Sequence, residues 1–420
     1  MLVTSTDSPP ETYRARLIDQ VLPDLLRSLP AISLVGPRGA GKTTTALHYA
    51  ASTRRLNRPA EAGAFQADPY AVLATLAEPV LLDEWQEVPE VLGAVKEAVD
   101  QDPRPGRFLL TGSVRIAYEK TWPATGRVVR CPVYPLTQRE INQRTGSPPL
   151  IERLRRPSAD ALAPAAGNLT LVDYLDLAQA GGLPDAVFNR SGRARDLWLR
   201  SYLAELTASD IRLTGANPDR RRFSAYLRAV AASSGTVVDD LTLLDAAHVS
   251  RPTAAAYDEL LEAVYFAERL PAWWSDRLTR LTARPKRLLL DTSLMLASLN
   301  LDRDGVLADA AMLGRVLETF VAMQVRAEVA VVDGTPTLSH LREKAGRREI
   351  DFIVEYADST VAALEVKATA SPDRGDARHL IWLRDQLGDR LVAGVVFHTG
   401  PYTLALSDRV WAAPISTFWA

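Results

Sequence analysis

Apolar residues along this chain fall into two alternating kinds of run. Short unbroken stretches read as buried strands, and longer stretches with apolar residues every three or four positions read as helices. Residues 13–29 place Leu17, Val21, Leu25 and Leu26 on one helical face and stop at Pro30. Ala31–Val35 is a strand run, followed by a glycine-rich loop and a helix over Thr44–Ala51. Val80–Leu82 and Arg107–Thr111 are further strand runs with a helix, Val88–Val99, between them, and Val133–Leu136 is another strand candidate. Strands alternating with helices predict a parallel sheet covered on both faces.

The pattern then changes twice. Pro148–Asn168 is rich in proline, alanine and arginine and reads as a surface excursion or flexible connector. Residues 170–212 read as helical, broken at Gly181–Pro184, and residues 223–270 as three helical segments, the last two separated by His248–Pro252. From Arg287 the pattern is again mixed: helix Gly314–Glu328, strands near Ala330–Val332, Thr337–Leu341, Glu349–Tyr356 and Val361–Lys367, helix Arg378–Gln386, and strand Val392–Phe397. The first twelve residues, with Pro9 and Pro10, read as a loose arm. The expected organisation is an α/β part over 13–140, a helical part over 141–285 and a second α/β part over 286–420.

Composition narrows the class. With 420 residues, 47% of them hydrophobic and 24% charged, the chain is an ordinary globular protein, not a disordered, collagen-like or coiled-coil one. A net charge of −2 excludes a polycation built to coat nucleic acid, although a local basic face stays open. Cys131 is the one cysteine, so there is no internal disulfide and no multi-cysteine metal site. No apolar run reaches the ~18 residues of a membrane span, and the N-terminus lacks a basic start followed by an apolar stretch. A soluble cytoplasmic protein without a membrane partner is expected. Arginine far outnumbers lysine; of the six lysines, Lys42 and Lys367 fall inside motifs.

Gly36-Pro37-Arg38-Gly39-Ala40-Gly41-Lys42-Thr43 fits G-x-x-x-x-G-K-[ST] at every fixed position. Glycines allow successive backbone N–H groups to curl around phosphates, and the following helix, which includes Thr44, points its positive end at them. The Lys42 ammonium reaches the β and γ phosphates and the Thr43 hydroxyl binds Mg²⁺. Val80–Leu82 ends in Asp83 and Glu84. A carboxylate at such a strand end holds Mg²⁺, and a second one polarises the attacking water. Phe108–Ser113 supplies Thr111 or Ser113 as a hydroxyl that senses the γ phosphate, and Arg127 is a candidate for stabilising transition-state charge, from its own subunit or a neighbour's.

GPRGAGKT, LLDEWQEVPE, FLLTGS, the Gly126-Arg127 pair and YPLTQRE together resemble the AAA+-class P-loop ATPases of bacteria and archaea in which a helical and winged-helix region follows the ATPase core. In that family the C-terminal domain is related in fold to PD-(D/E)xK nucleases. The resemblance continues through GGLPDA at Gly181–Ala186, SRPTAAAY at Ser250–Tyr257, REIDFIVE and LEVKA. It implies that Lys42, Thr43, Asp83 and Glu84 carry nucleotide binding and hydrolysis. It also implies that the sensor strand lies between the phosphate-loop strand and the Asp83 strand.

Two later segments bear on partners. Ser250 and Pro252 open a helix after a short turn, in helix-turn-helix manner, and would present Arg251 and Thr253 to a DNA groove. Asp258 and Glu259 oppose that reading, and a packing role is the alternative. Asp351 on one strand and Glu365 with Lys367 on the next, completed by Glu318 on the preceding helix, resemble the PD-(D/E)xK pattern, in which carboxylates hold Mg²⁺ and the lysine activates water. His340, Arg342, Lys344, Arg347 and Arg348 form a basic stretch beside it. The expected protein binds ATP and Mg²⁺, hydrolyses ATP, and couples nucleotide state to a nuclease-like domain that binds or cleaves nucleic acid. The alternative is an ATP-dependent switch or scaffold whose nuclease-like domain holds a partner protein. The oligomeric state stays open.

Overall fold

The unbroken apolar runs of the first third become the interior of a parallel sheet. In the computed structural model, which describes residues 13–114, 126–165, 167–213, 216–237, 240–273, 284–343 and 347–420, these runs form β1 (Ala31–Val35), β3 (Val80–Asp83) and β4 (Phe108–Gly112). Two further strands, β2 (Ser52–Arg55) and β5 (Val128–Pro132), close the edges. The order is β2-β3-β4-β1-β5 with every pairing parallel, so β4 does lie between the phosphate-loop strand and the Asp83 strand. On one face, Val80, Leu82, Phe108 and Leu110 pack against Val91, Leu92 and Val95 of the helix Val91–Gln101.

Three details of this unit differ from expectation. The helix over 13–29 is a 3-10 turn, Leu17–Gln20, and a separate helix, Leu22–Ser28, because Pro23 has no N–H and fits only a first turn. The strand β2 has a polar sequence and half-buried side chains, so no apolar run announced it. The last strand is Val128–Pro132, not Val133–Leu136; Pro132 and Pro135 lack the donor that a longer ladder needs.

Contacts divide the chain into two compact units. The first contains this sheet up to Tyr134, with Glu205–Asn217 and Glu262–Tyr265; the second contains Pro135–Ala204, Pro218–Leu261 and Phe266–Ala420. In the second, the helices Arg220–Ala232, Asp240–Ala247 and Arg251–Ala263 precede an antiparallel pair, β6 (Ala267–Leu270) and β7 (Lys286–Leu289). The long helix Ala310–Val329 follows, then β8 (Thr337–Arg342), β9 (Glu349–Glu355), β10 (Val361–Val366), the helix Arg378–Leu387, β11 (Leu391–His398), β12 (Leu404–Ser407) and β13 (Val410–Pro414). Their sheet runs β12-β13-β11-β10-β9-β8, antiparallel from β8 to β10 and parallel where β11 meets β10 and β13. Ile350, Ile353, Val361 and Val396 pack on Leu380 and Leu383. Ala330–Val332 is a turn, not a strand.

The segment Pro148–Asn168 is no loose connector. Leu150, Ile151, Leu154 and Leu162 are fully buried. The Ile151 amide donates to Glu328 (3.0 Å), the Tyr356 hydroxyl to the Ile151 carbonyl (2.6 Å), and Arg153 to the Thr417 carbonyl (2.9 Å). Beside it, Arg139 of the YPLTQRE motif is fully buried, donates to the carbonyls of Phe418 (3.0 Å) and Ser147 (2.9 Å), and pairs with Glu328 at 3.4 Å. Breaking such a pair from one side strands a buried charge. Arg139→Met should therefore cost about 3–5 kcal/mol in chemical denaturation, and Glu328→Gln added to it should recover part of the loss.

Candidate functional site

The phosphate loop is built by close approach. A Cβ on Gly36 would lie 2.1 Å from the Val133 carbonyl oxygen, so only glycine lets β1 turn into the loop at this point. The loop then curls back on its own carbonyls: the Lys42 ammonium, nearly fully buried, donates to Gly36 (2.9 Å) and Pro37 (2.8 Å). Arg16, which the sequence did not single out, braces the loop from outside by donating to the carbonyls of Ala40 (2.8 Å) and Tyr134 (2.7 Å). Gly41 caps the helix Lys42–Leu47, whose first turn carries Thr43 and Thr44. Gly39 lies in the turn between, and the Arg38 side chain is exposed.

The strand ends bring the remaining groups to the loop. The Thr43 hydroxyl donates to Asp83 Oδ1 at 2.6 Å, and the Thr111 hydroxyl donates to the same oxygen at 2.6 Å. The Glu84 amide donates to Thr111 Oγ1 at 3.2 Å. Glu84 takes left-handed backbone angles (φ 53°), which turn its side chain out of the strand line into the crevice side, and its carboxylate accepts from Ser113 at 3.3 Å and from Gln86. Thus Lys42, Thr43, Asp83, Glu84, Thr111 and Ser113 converge, and Gln86 joins them. Thr43 and Asp83 fit a Mg²⁺ site in kind: one hydroxyl and one carboxylate, already within hydrogen-bond distance of each other.

Arg127 is not part of this cluster. It precedes β5, whose Val128 pairs with Ala31 at the start of β1, so four residues of strand, about 13 Å, separate it from the phosphate side. Its guanidinium instead pairs with Asp100 at 2.7 Å. A catalytic role within its own subunit is therefore excluded by the register.

The C-terminal motif also assembles. Antiparallel pairing of β9 with β10 sets Phe352 opposite Leu364, which brings Asp351 beside Glu365. Asp351 Oδ2 accepts from the Val366 amide (2.8 Å), and Lys367 donates to Glu365 Oε1 (2.7 Å). Glu318 of the helix Ala310–Val329 joins them through Lys286 of β7, whose ammonium lies 2.6 Å from Glu318 Oε1 and 3.6 Å from Asp351 Oδ1. Lys286 has no exposed side-chain surface. Burial pushes the Glu318 carboxyl well above the usual range, with the Asp351 charge adding and Lys286 opposing. Burial likewise pushes Glu365 up to about 8. Lys286 itself was visible in the sequence only as one of six lysines. Among the described residues, no group of three or more His, Cys, Asp or Glu is arranged to hold a metal ion.

Other candidates are placed differently from expectation. His340 is buried and its ring bonds the Arg284 carbonyl (3.2 Å). Arg348 pairs with Glu343 (2.9 Å) and lies over the Trp382 ring. The basic stretch is thus partly consumed internally; Lys344, like the arm before Tyr13, lies outside the described residues. Asp258, expected to repel DNA, is buried and held by Arg287 (2.6 Å) and Tyr226 (2.8 Å).

Comparisons with known proteins agree with the N-terminal geometry. Residues 28–142 match the family model of an AAA domain. This part of the chain is similar to AAA domains, and its phosphate-loop geometry agrees with that match. Residues 171–305 and 313–418 match two domains of unknown function, DUF8612 and DUF4143. Two mycobacterial relatives, the uncharacterized proteins Mb2031c of Mycobacterium bovis and Rv2008c of Mycobacterium tuberculosis, are each 26% identical over 399 residues, covering 93% of this chain and 81% of theirs. Among solved structures, the Walker-type ATPase PABY2304 of Pyrococcus abyssi is similar with a TM-score of 0.39 and 14% identity, over 69% of this chain and 99% of that one. Among the described residues, no helix is long and apolar enough to cross a membrane.

The buried imidazole of His340 gives a pH signature. Burial, helped by the Lys286 charge, depresses it from 6.5 to about 3. The unfolded chain takes up this proton near 6.5 while the folded chain does not until about 3, so the contribution is present above 6.5 and lost as pH falls through that window. Urea unfolding at a series of pH values should show wild-type stability falling below 6.5 more steeply than that of His340→Gln.

Proposed function

We propose that the chain is a Mg²⁺-dependent ATPase whose nucleotide state governs a C-terminal half that binds nucleic acid. The observation that carries the first part is the shared oxygen of Asp83, held by Thr43 and Thr111 at 2.6 Å each. Lys42, folded onto the loop carbonyls, swings to the β and γ phosphates when these fill the loop. A magnesium ion between Thr43 and Asp83 would neutralise phosphate charge. Glu84, oriented by Ser113 and Gln86, accepts the proton of the attacking water, and Thr111 fixes the Glu84 backbone. Glu84→Gln should retain ATP binding and lower the hydrolysis rate by ~10²–10⁴, while Lys42→Ala should weaken both. Phosphate release by Glu84→Gln at the wild-type rate would exclude Glu84 as the base.

Nucleic acid is favoured over a partner protein by the helix Arg251–Ala263 and the β6–β7 pair, which we read as a winged helix. Arg251, Arg269, Arg284 and Arg287 line a cavity of about 230 Å³ together with Asp258, which pairs with Arg287. Guanidinium groups suit phosphate oxygens. Arg251→Glu with Arg284→Glu should reduce retention of DNA in filter binding, most strongly at low salt and with a shallower salt dependence than wild type, and leave basal ATP hydrolysis unchanged. Equal retention by this variant and wild type would favour the protein-partner reading.

A further inference from the structure

The carboxylates Glu318, Asp351 and Glu365 invite a divalent cation, but the position between the first two is filled. The Lys286 ammonium approaches Glu318 Oε1 to 2.6 Å and Asp351 Oδ1 to 3.6 Å, with the Phe352 ring 5.8 Å away. A magnesium ion sits ~2.0–2.1 Å from its oxygens, so an ion on these two carboxylates would press against a like-charged group. On its far side Glu318 lies against Gly235 (φ +80°), where a Cβ would come within 3.0 Å of Glu318 Oε2. Asp351 Oδ2 is committed to the Val366 amide, and Glu365 Oε1 to Lys367. With Lys286 in place no ion fits between Glu318 and Asp351, although Glu365 Oε2 is buried without a hydrogen-bond partner.

We propose that Lys286 is the resident cation of this cluster, standing where a metal-dependent nuclease would hold its ion, so that the C-terminal domain takes up no divalent metal and does not cleave phosphodiesters. Lys286 comes from the β6–β7 pair, not from the helix that carries Glu318 or the sheet that carries Asp351 and Glu365. It leaves only if β7 moves, because Leu288 and Leu289 beside it are fully buried and Leu270 opposite it on β6 nearly so. The pair is fixed in turn by Trp273, whose amide donates to the His340 carbonyl (2.6 Å), by the His340 amide, which donates to the Pro271 carbonyl (3.0 Å), and by the Arg326–Glu268 ion pair. The lysine therefore neutralises the acids and pins the β6–β7 pair to the C-terminal sheet with one side chain.

The test counts bound Mn²⁺ per chain by electron paramagnetic resonance, on the full-length protein without nucleotide at millimolar Mn²⁺. Wild type and Asp351→Asn should bind the same number of ions. Lys286→Met should gain an ion that Lys286→Met/Asp351→Asn loses again. An ion bound by wild type and lost in Asp351→Asn would overturn the proposal, as would a folded Lys286→Met that gains none. If Lys286→Met does not fold, the wild-type and Asp351→Asn pair still decides. Neither substitution touches Thr43 or Asp83, so a failure of the ATPase reading would appear separately, as absent nucleotide binding.

Discussion

One carboxylate oxygen of Asp83 receives two hydroxyls, one from the helix that follows the phosphate loop and one from the neighbouring strand. That double contact ties together three backbone segments far apart in sequence. It requires β4 between β1 and β3, because only then does Thr111 reach both Asp83 and the Glu84 amide. It also requires the loop to leave β1 at Gly36, where any larger residue would strike Val133. Hydroxyls are weak, exchangeable partners for an acid compared with a cation. On the proposed reading, such a site takes up a magnesium-bound triphosphate without first breaking an ion pair.

The C-terminal cluster satisfies its acids in the opposite manner. There an ammonium with no exposed surface occupies the place between two carboxylates, and removing it would leave buried charge unpaired. The two clusters therefore call for different ligands despite similar acidic content. On the proposed reading, the first exchanges its partners during a nucleotide cycle and the second keeps them.

Much of this was legible in the sequence. The phosphate loop, Asp83 and Glu84 follow from fixed spacing and from apolar runs that can only be buried strands. The C-terminal acids follow from strand alternation, which puts Glu365 and Lys367 on one face. What stayed hidden depended on tertiary approach. Lys286 lies on a short strand whose apolar residues number only two, and nothing local marks it as a partner of Glu318 more than thirty positions away. Arg127 looked suitable because it lies near the motifs in sequence, but the parallel register carries it to the opposite end of the sheet. The Pro148–Asn168 segment looked like a linker because proline, alanine and arginine dominate it, yet its few leucines and Ile151 are all buried.

The central claim is that the loop after β1 clasps a triphosphate with a cation bridging to Asp83. Titration of the intact chain with labelled ATP, with and without millimolar Mg²⁺, tests it most directly. Saturable binding that tightens when Mg²⁺ is present is the predicted result. No saturable uptake under either condition would contradict the account.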